Sequence, residues 1–323
     1  MDKKTKFAIG CLVQWYEVEV LEEYVDSLME AIDEYGKENV RVNITFTSSQ
    51  KLEKIDGRKA TLVGLRNKYG FIVKKLVEGG YDCVANLEEA PVTIADYRRD
   101  FNNYYCNHAD VLMWGEADML VPKQAFVILD TLHQRVPQSK YIATFGICKM
   151  WDDSWKPLEH PEFTVKPFIE NDYSNWWSLK YTMTKEEMNK INERTERPSL
   201  QILPQHKFNG CGLVISSEII KAGVNIPQSV FFVHEDTAFM LMLQKVLPDS
   251  PQYVINNILN VHNRNHPKKR MYVLGETGDT LNQKRRSNDW YVKANKYSEE
   301  NCYNLFNPNH KSKTWEDVWQ QVN

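Results

Sequence analysis

Short apolar runs alternate with longer segments of helical period over the first third of the chain. The clearest helical signal lies at 16–35, where apolar side chains recur every three or four residues and acids fill the other positions. The pattern predicts strands at 7–13, 40–47, 81–87 and 111–114, separated by helices at 16–35, 61–78 and 94–107. This alternation predicts an α/β fold in which a mostly parallel central sheet is flanked by helices.

The pattern is less regular after residue 122. It predicts a helix up to about residue 136, strands at 140–148 and 255–261, and a surface helix at 184–197 that begins with a capping box of Thr184 and Glu187. Gly210 and Gly212 precede another apolar run. They indicate a place where the backbone passes close to another group, such as a ligand.

The apolar run at 111–114 ends in Gly115 and is followed by two acids, Glu116 and Asp118. We expect the glycine to stop a buried strand, and both carboxylates to lie in the crevice where open α/β sheets bind ligands. Two oxygen donors there suit a divalent cation that takes its other ligands from water and a phosphate. The alternative is a pair of solvated acids in a turn, which is the commoner origin of such a motif.

A second acidic motif, His234-Glu235-Asp236, lies where an apolar, strand-like run passes into an apolar helix. A carboxylate at this junction is suited to act as a general base, because apolar surroundings raise its pKa toward neutral pH. In the alternative interpretation, Asp236 only caps the following helix by accepting hydrogen bonds from its backbone N–H groups.

Residues 151–181 are rich in aromatic side chains that follow neither a strand nor a helix period. Aromatic faces between polar residues suit stacking on a sugar ring or a nucleobase, and the candidates are Trp151, Trp155, Trp176 and Trp177. An irregular insertion that uses these aromatics as its own small core is an equally good interpretation. Farther along, residues 264–296 contain nine Lys or Arg and three Asp or Glu, a net charge of +6. This segment could bind a diphosphate or a nucleic-acid backbone, or form a solvated basic tail.

Composition indicates a globular protein, with 323 residues that are 42% hydrophobic and 12% aromatic. The formal charge of −3 excludes a uniformly basic nucleic-acid coat, and the six scattered cysteines, without a C-x-x-C, are expected to be mostly buried free thiols. No signal-type or membrane-length apolar run is present, which predicts a cytoplasmic protein without stable membrane association. Because neither a dinucleotide fingerprint nor a P-loop occurs, any phosphate binding should depend on a metal.

Four segments, by their order and spacing, resemble the GT-A fold nucleotide-sugar glycosyltransferases, in particular the inverting, family-2-like members. The resemblance spans about residues 7–270. The segments are the opening strand and helix at 9–28, Asp96-Tyr97-Arg98-Arg99 with Asn102, the variant D-x-D motif Glu116-Ala117-Asp118, and His234-Glu235-Asp236. The sequence also has a general resemblance to glycosyltransferases of large tailed bacteriophages.

The resemblance implies a GT-A-like, mixed and mostly parallel sheet with a Rossmann-like nucleotide-binding half at 1–122 and an acceptor-binding half at 123–270. The aromatic insertion at 151–181 would belong to the acceptor half, and residues 271–323 would form a basic, aromatic appendage.

The resemblance also implies roles for individual residues. Mn²⁺ or Mg²⁺ would bind Asp118, with Glu116 and His262 as further ligands, and Glu116 departs from the aspartate usual at the first position. Asp236, beside Glu235, would take the proton from an acceptor hydroxyl, so that transfer from a nucleotide-diphosphate sugar, expected to be a UDP-sugar, inverts the anomeric centre. The residues that would contact the nucleotide sugar, besides Glu116 and Asp118, are Arg98, Arg99, Gly210, Lys269 and Arg270.

The identity of the acceptor stays open in the sequence. A cell-surface glycan is one candidate, and hydroxymethylated cytosine in phage DNA, modified in the host cytoplasm, is another. An extruded base could stack on the aromatic insertion while the basic segment holds the backbone. A non-catalytic carbohydrate- or nucleic-acid-binding module on the same fold is a third interpretation.

Overall fold

The computed structural model describes residues 4–47, 62–89, 92–149, 153–165, 182–207, 210–264, 266, 268 and 289–319. Its strands are β1 (Thr5–Val13), β2 (Val40–Thr47), β3 (Asp82–Glu88), β4 (Ala109–Glu116), β5 (Met119–Leu120), β6 (Ile142–Gly146), β7 (Leu200–Ile202), β8 (Val214–Ser216), β9 (Gln252–Leu259) and β10 (Val261–His262). Its α-helices are α1 (Leu21–Tyr35), α2 (Leu62–Glu78), α3 (Ile94–Tyr105), α4 (Ala125–Arg135), α5 (Pro161–Thr164), α6 (Lys185–Asn192), α7 (Ser217–Lys221), α8 (Glu235–Val246), α9 (Asp289–Tyr303) and α10 (Trp315–Trp319). Short 3₁₀ helices lie at Trp15–Glu17, Lys37–Asn39 and Asp153–Leu158.

The described strands form an eight-stranded sheet in the order β3-β2-β1-β4-β8-β6-β9-β7, and β5 and β10 form a separate two-stranded ribbon. Strands β1 to β4 are parallel, and β6 and β9 run in the same direction. Strands β7 and β8 are antiparallel to their neighbours. The predicted α/β class, with a mixed, mostly parallel sheet between helices, is confirmed.

Alternate residues of β1 face opposite layers of helices. Phe7 and Ile9 pack in one core with residues of α1, α2 and α4, whereas Ala8 packs in a second core with residues of α3, α7 and α8. Both sides of the strand are therefore buried, which explains its uninterrupted apolar sequence. Strand β4 runs beside β1, with Glu116 level with Leu12, so the two strands end at the same edge of the sheet.

Strand β4 continues through Gly115 to Glu116, so the prediction that this glycine stops the strand is wrong. A Cβ at position 115 would collide with the hydroxyl group of Tyr24, which reaches the sheet from α1. The glycine therefore provides room for close packing between helix and strand rather than ending the strand.

Helix α6 begins with the predicted capping box. The Thr184 hydroxyl accepts from the Glu187 N–H, and the Glu187 carboxylate accepts from the Thr184 N–H. The helix ends at Asn192, five residues earlier than predicted, and there the Asn192 side chain exchanges two hydrogen bonds with the backbone of Leu259. This link to strand β9 is a tertiary contact that the local sequence does not encode.

Helices α9 and α10, in the segment predicted to be an appendage, pack against the loop that leads into α8. The Ser298 hydroxyl donates to the carbonyl of Val233 (2.6 Å), and the Asn301 side-chain amide donates to the carbonyl of Ser229 (2.7 Å). The division of the chain into domains stays a prediction.

The six cysteines form no disulfide bond, and four of them are buried, as expected from the sequence. None of the helices in the described ranges combines the length and apolar character that a membrane crossing needs.

Candidate active site

The first acidic motif lies at the turn between β4 and β5. Glu116 is the last residue of β4 and is partly exposed, whereas Asp118 is buried in the turn. Both carboxylates lie at the carboxyl edge of the parallel strands, as the sequence predicts. They do not lie in a freely solvated turn.

Strand β10 brings His262 beside this turn. It pairs antiparallel with β5, so that His262 is level with Met119, and the Asn263 N–H donates to the carbonyl of Asp118 (2.7 Å). The Nε2 atom of His262 then lies 2.9 Å from Oε2 of Glu116 and 3.4 Å from Oδ1 of Asp118. The three predicted metal ligands are thus close together, although they lie 144 and 146 residues apart in the sequence (262 − 118 and 262 − 116).

The thiol of Cys211 is a fourth donor at this place, which sequence reasoning missed. Donor atoms of Glu116, Cys211 and His262 all lie within 4.8 Å of one another. Burial raises the pKa of the Cys211 thiol, and the nearby carboxylates raise it further, whereas His262 lowers it. The cluster therefore offers two carboxylates, an imidazole and a thiol, a donor set that could hold a divalent cation.

Opposite charges dominate this cluster in the absence of a cation. Burial alone would raise the pKa of Glu116, but His262 and Arg98 lower it to about 2. Burial alone would lower the pKa of His262, but Cys211, Asp118 and Glu116 raise it well above its ordinary value. In the metal-free protein, His262 therefore carries a positive charge between the two carboxylates.

This charge predicts how the stability of the metal-free protein depends on pH. Because the folded pKa of His262 is raised, its contribution to stability is complete below about pH 6.5 and is lost as the pH rises through the folded pKa. We expect the melting temperature of the wild-type protein in EDTA to exceed that of His262→Gln most below about pH 6.5, with the difference shrinking as the pH rises through the folded pKa of His262. His108→Gln, at the opposite end of β4, is the control. A difference that stays constant with pH would contradict the ion pairing.

Arg98 on α3 connects the two acidic motifs. Its side chain is 2% exposed, and its Nη2 donates to Glu116 (2.6 Å) and to the carbonyl of Gly210 (3.1 Å), while Nη1 donates to Glu235 (2.5 Å). The guanidinium also lies over the ring of Trp114, 4.7 Å from its centroid. Burial alone would lower the pKa of Arg98, but Glu235 and Glu116 raise it, so the guanidinium stays charged.

The same guanidinium leaves no room for a side chain at position 210. A Cβ at this position would lie 2.6 Å from Nη1 of Arg98 and 3.3 Å from Oδ2 of Asp236. The group that the backbone approaches at Gly210 is therefore a side chain of the protein. Contact between Gly210 and a nucleotide sugar stays a prediction.

The second acidic motif opens helix α8. His234 precedes the helix with φ of 67°, a left-handed conformation that a residue with a side chain rarely adopts and that is concentrated at functional sites. Glu235 is buried, and burial raises its pKa while Arg98 lowers it. Asp236 is half-buried and accepts a hydrogen bond from the Thr237 N–H (2.7 Å). The N-cap position is His234, and its side chain makes no capping hydrogen bond. The Asp236 carboxylate accepts from a backbone N–H of the first turn of α8, as in the capping interpretation, so its role as a base stays a prediction.

Arg99 lies apart from this cluster. Its Nε donates to the carbonyl of Ile226, and its Nη2 donates to the carbonyls of Pro227 and Val230. Its Nη1 forms an ion pair with Asp96. The side chain holds the loop before α8, and these contacts do not place it on a bound nucleotide.

Of the predicted acceptor aromatics, Trp155 lies in a described range. It is partly buried and packs against Ile147, Leu158, Leu203 and Val254. Of these four residues only Leu158 belongs to the segment 151–181, so this contact does not show an insertion with its own core. Trp151, Trp176, Trp177, Lys269 and Arg270 lie outside the described residues, and their roles stay predictions.

A cavity of about 580 Å³ adjoins both acidic motifs. Glu116 and Glu235 line it. Other lining residues are Leu12 near the end of β1, Gln14, Tyr16 and Glu17 after that strand, Thr93 and Asp96 at the start of α3, and Arg264. The C-terminal aromatics also line it: Trp290, Tyr291, Trp315 and Trp319. Sequence reasoning missed these four, although Trp315 and Trp319 are four residues apart and so share one face of a helix.

Comparisons with known proteins add little beyond architecture. No family model and no curated protein matches this sequence. Similar solved structures include S. aureus TarS 1–349, with 9% identity, 98% of this chain and 78% of that chain covered, and a TM-score of 0.45. A mannosyltransferase, PcManGT from Pyrobaculum calidifontis, in complex with GDP-Man and Mn²⁺, has 13% identity, 80% and 56% coverage and a TM-score of 0.46. The galactosyltransferase LgtC, in complex with donor and acceptor sugar analogs, has 10% identity, 65% and 58% coverage and a TM-score of 0.30. These values indicate no more than a general likeness of architecture.

Proposed function

We propose that this protein is a metal-dependent glycosyltransferase that moves a sugar from a nucleotide-diphosphate sugar to an acceptor hydroxyl. The observation that carries the proposal is that one residue of each acidic motif, Glu116 and Glu235, lines the same cavity, and that Arg98 forms an ion pair with both. One motif is suited to hold a cation against a diphosphate, and the other is suited to accept a proton.

Glu116, Asp118 and His262 would hold the cation, which is expected to be Mn²⁺ or Mg²⁺. Nε2 of His262 already lies within ion-pair distance of a carboxylate oxygen of Glu116 and of Asp118, and in the metal-free state a proton on His262 offsets part of their negative charge. A bound divalent cation would supply positive charge to the leaving diphosphate. These residues would therefore position the donor at the carboxyl end of β4.

Asp236 would be the general base. It would take the proton of the acceptor hydroxyl while the acceptor oxygen forms a bond to the anomeric carbon and the bond from that carbon to the diphosphate oxygen breaks. The nucleotide diphosphate would leave with the electron pair, and attack from the opposite face inverts the anomeric centre. Glu235 would position the start of α8 through its ion pair with Arg98 rather than react itself.

Binding of a nucleotide together with a metal is the most direct test. We expect UDP, GDP or CDP, or one of their sugar conjugates, to raise the melting temperature when Mn²⁺ is present and not when EDTA replaces it. A ligand at a hundredfold excess over its Kd stabilises the folded state by about 2.7 kcal/mol. Asp118→Asn should lose this shift. Asp110→Asn, which removes a carboxylate paired with Lys4 at the other end of β4, should keep it.

Hydrolysis of the sugar nucleotide distinguishes a transferase from a module that only binds. Without an acceptor, a transferase should hydrolyse the donor slowly and only in the presence of the cation. A shift in melting temperature without any hydrolysis would indicate a binding module. The absence of both would overturn the proposal.

A further inference from the structure

The turn that carries Cys211 is fixed beside the first acidic motif by backbone pairing. The Gly212 N–H donates to the Trp114 carbonyl (2.8 Å), and the Trp114 N–H donates to the Leu213 carbonyl (2.9 Å). Gly212 adopts a φ of 73°, which favours glycine, and a Cβ there would lie 3.1 Å from Nδ2 of Asn260. Cys211 is therefore held against the end of β4 by contacts that do not depend on its own side chain.

A hydrogen-bond donor is directed at the sulfur of Cys211. Nδ2 of Asn260 donates to Sγ of Cys211 (3.8 Å), and both residues are buried. Asn260 is itself fixed, because its N–H donates to the Gly146 carbonyl (2.7 Å) at the end of β6. An outer partner of this kind orients a metal ligand and stabilises its charge. Asn260 is thus placed to support Cys211 as a ligand when a cation is bound.

The donor atoms of Cys211, Glu116 and His262 are close enough to share one cation. The sulfur, a carboxylate oxygen and an imidazole nitrogen all lie within 4.8 Å of one another. Ligands of a tetrahedral zinc ion, at about 2.0 Å for nitrogen or oxygen and about 2.3 Å for sulfur, lie roughly 3.3–3.8 Å apart. Small rotations of the three side chains are therefore enough to enclose the ion.

The carboxylate of Glu116 uses a different oxygen for each of its two partners. Oε1 accepts from Arg98 (2.6 Å), and Oε2 faces Nε2 of His262 (2.9 Å). A cation can replace the proton between Oε2 and His262 while the ion pair with Arg98 stays intact. The side chains of Glu116 and His262 are 24% and 26% exposed, whereas Cys211 is 4% exposed. A cation would enter from the exposed side, and Cys211 would be its inner ligand.

The thiol changes which cation this cluster prefers. Carboxylate oxygens suit Mn²⁺ and Mg²⁺, whereas a thiolate favours softer ions such as Zn²⁺, which also binds a given set of donors more tightly than Mn²⁺. Cysteine, histidine and carboxylates are all zinc ligands in proteins, and Asp118 or water can take the fourth position. Because Glu116 and His262 belong to both donor sets, the two kinds of cation cannot be bound at the same time.

We propose that Cys211 is a metal ligand and that, with Glu116 and His262, it forms a zinc-selective site whose occupation excludes Mn²⁺ or Mg²⁺. The assignment of Mn²⁺ or Mg²⁺ to the competing mode rests on the proposed function. When Zn²⁺ binds, the thiol proton of Cys211 and the proton of His262 pass to solvent, and no electron is transferred. The thiolate neutralises one charge of the ion, so this zinc attracts a diphosphate less strongly than a cation held without a thiolate. Zinc is therefore an inhibitor of the proposed transfer.

The absorption band of a thiolate bound to a metal tests the proposal, with Cd²⁺ and Co²⁺ added to the reduced full-length protein as probes of the zinc mode. We expect an equimolar amount of either ion to produce the band. Cys211→Ser and His262→Gln should each abolish it. Cys106→Ser removes another buried thiol, which donates to the Asn103 carbonyl, and should keep it. If Cys211→Ser does not fold, X-ray absorption of the zinc-bound wild-type protein should show a sulfur at about 2.3 Å that is lost in His262→Gln.

Competition between cations measures the selectivity of the site. Zn²⁺ should displace Mn²⁺ from the wild-type protein, and the electron paramagnetic resonance of Mn²⁺ follows the release. Cys211→Ser should reduce the preference for Zn²⁺ over Mn²⁺ by at least the roughly tenfold to hundredfold that loss of an outer partner of a ligand costs. Cys106→Ser should keep the full preference.

The outcomes separate this inference from the transferase function. A missing band, a band that persists in Cys211→Ser, or simultaneous binding of Zn²⁺ and Mn²⁺ would overturn the zinc site. A nucleotide shift in Mn²⁺ without a thiolate band would leave the transferase function standing and remove Cys211 from the ligands. A thiolate band that depends on Cys211, without any nucleotide shift or donor hydrolysis, would refute the transferase function and leave the zinc site in place.

Discussion

Asp236→Asn is expected to lower the rate of sugar transfer by about a hundredfold to ten-thousandfold, the contribution typical of a positioned general base. Asparagine has nearly the same shape and can still accept from the Thr237 N–H, so the start of α8 should stay folded. The measurement is kcat with saturating donor and acceptor, together with the melting temperature. Donor binding should be unchanged, because Asp236 does not belong to the metal cluster.

Two comparisons make this result specific. Asp249→Asn, which changes an exposed acid just after the same helix, should retain full activity. Glu235→Gln should reduce activity less than Asp236→Asn and should also lower stability, because it weakens the ion pair with Arg98. If Asp236→Asn stays fully active while Glu235→Gln is inactive, the base has been assigned to the wrong residue of the pair.

Arg98→Met is expected to have the largest effect on stability. Removing one partner of a buried ion pair costs about 3–5 kcal/mol, because the remaining charge stays buried without compensation. Here the substitution leaves the carboxylates of both Glu116 and Glu235 without the guanidinium and also removes its contact with Trp114. Urea denaturation of the wild-type and variant proteins measures the change in the free energy of unfolding.

A double substitution distinguishes the cost of leaving a buried carboxylate unpaired from the cost of losing the packing of the Arg98 side chain. Arg98→Met combined with Glu235→Gln should recover part of the lost stability, since a neutral amide costs less to bury than an unpaired carboxylate. Arg194→Met, which breaks a solvent-exposed pair with Glu162, should change the unfolding free energy by no more than about 1 kcal/mol. Arg98→Met with wild-type stability would show that the two acidic motifs do not depend on this bridge.

The amino-acid sequence by itself determined much of the layered architecture. Buried strands of the parallel sheet require uninterrupted apolar runs, and covering helices require an apolar stripe, so strand β2 and helix α2 were predicted to within one residue. The sequence also determined that Glu116 and Asp118 follow a buried strand and that Glu235 and Asp236 open a helix. These are local properties, because each depends on residues within a few turns of the chain.

Only the tertiary structure decided how these local pieces combine. The pairing of β5 with β10 brings His262 to Asp118, and the packing of α3 places Arg98, which the sequence suggested for nucleotide binding, between two acidic motifs. Gly115 looked like the end of a strand because the sequence does not show that Tyr24 of α1 packs against it. Likewise, the aromatic residues at the cavity are Phe232 and residues of the C-terminal helices. Neither the periodicity nor the composition of the sequence identified them as residues of the site. Contacts between distant segments depend on the packing of whole helices and strands, and no short stretch of sequence specifies that packing.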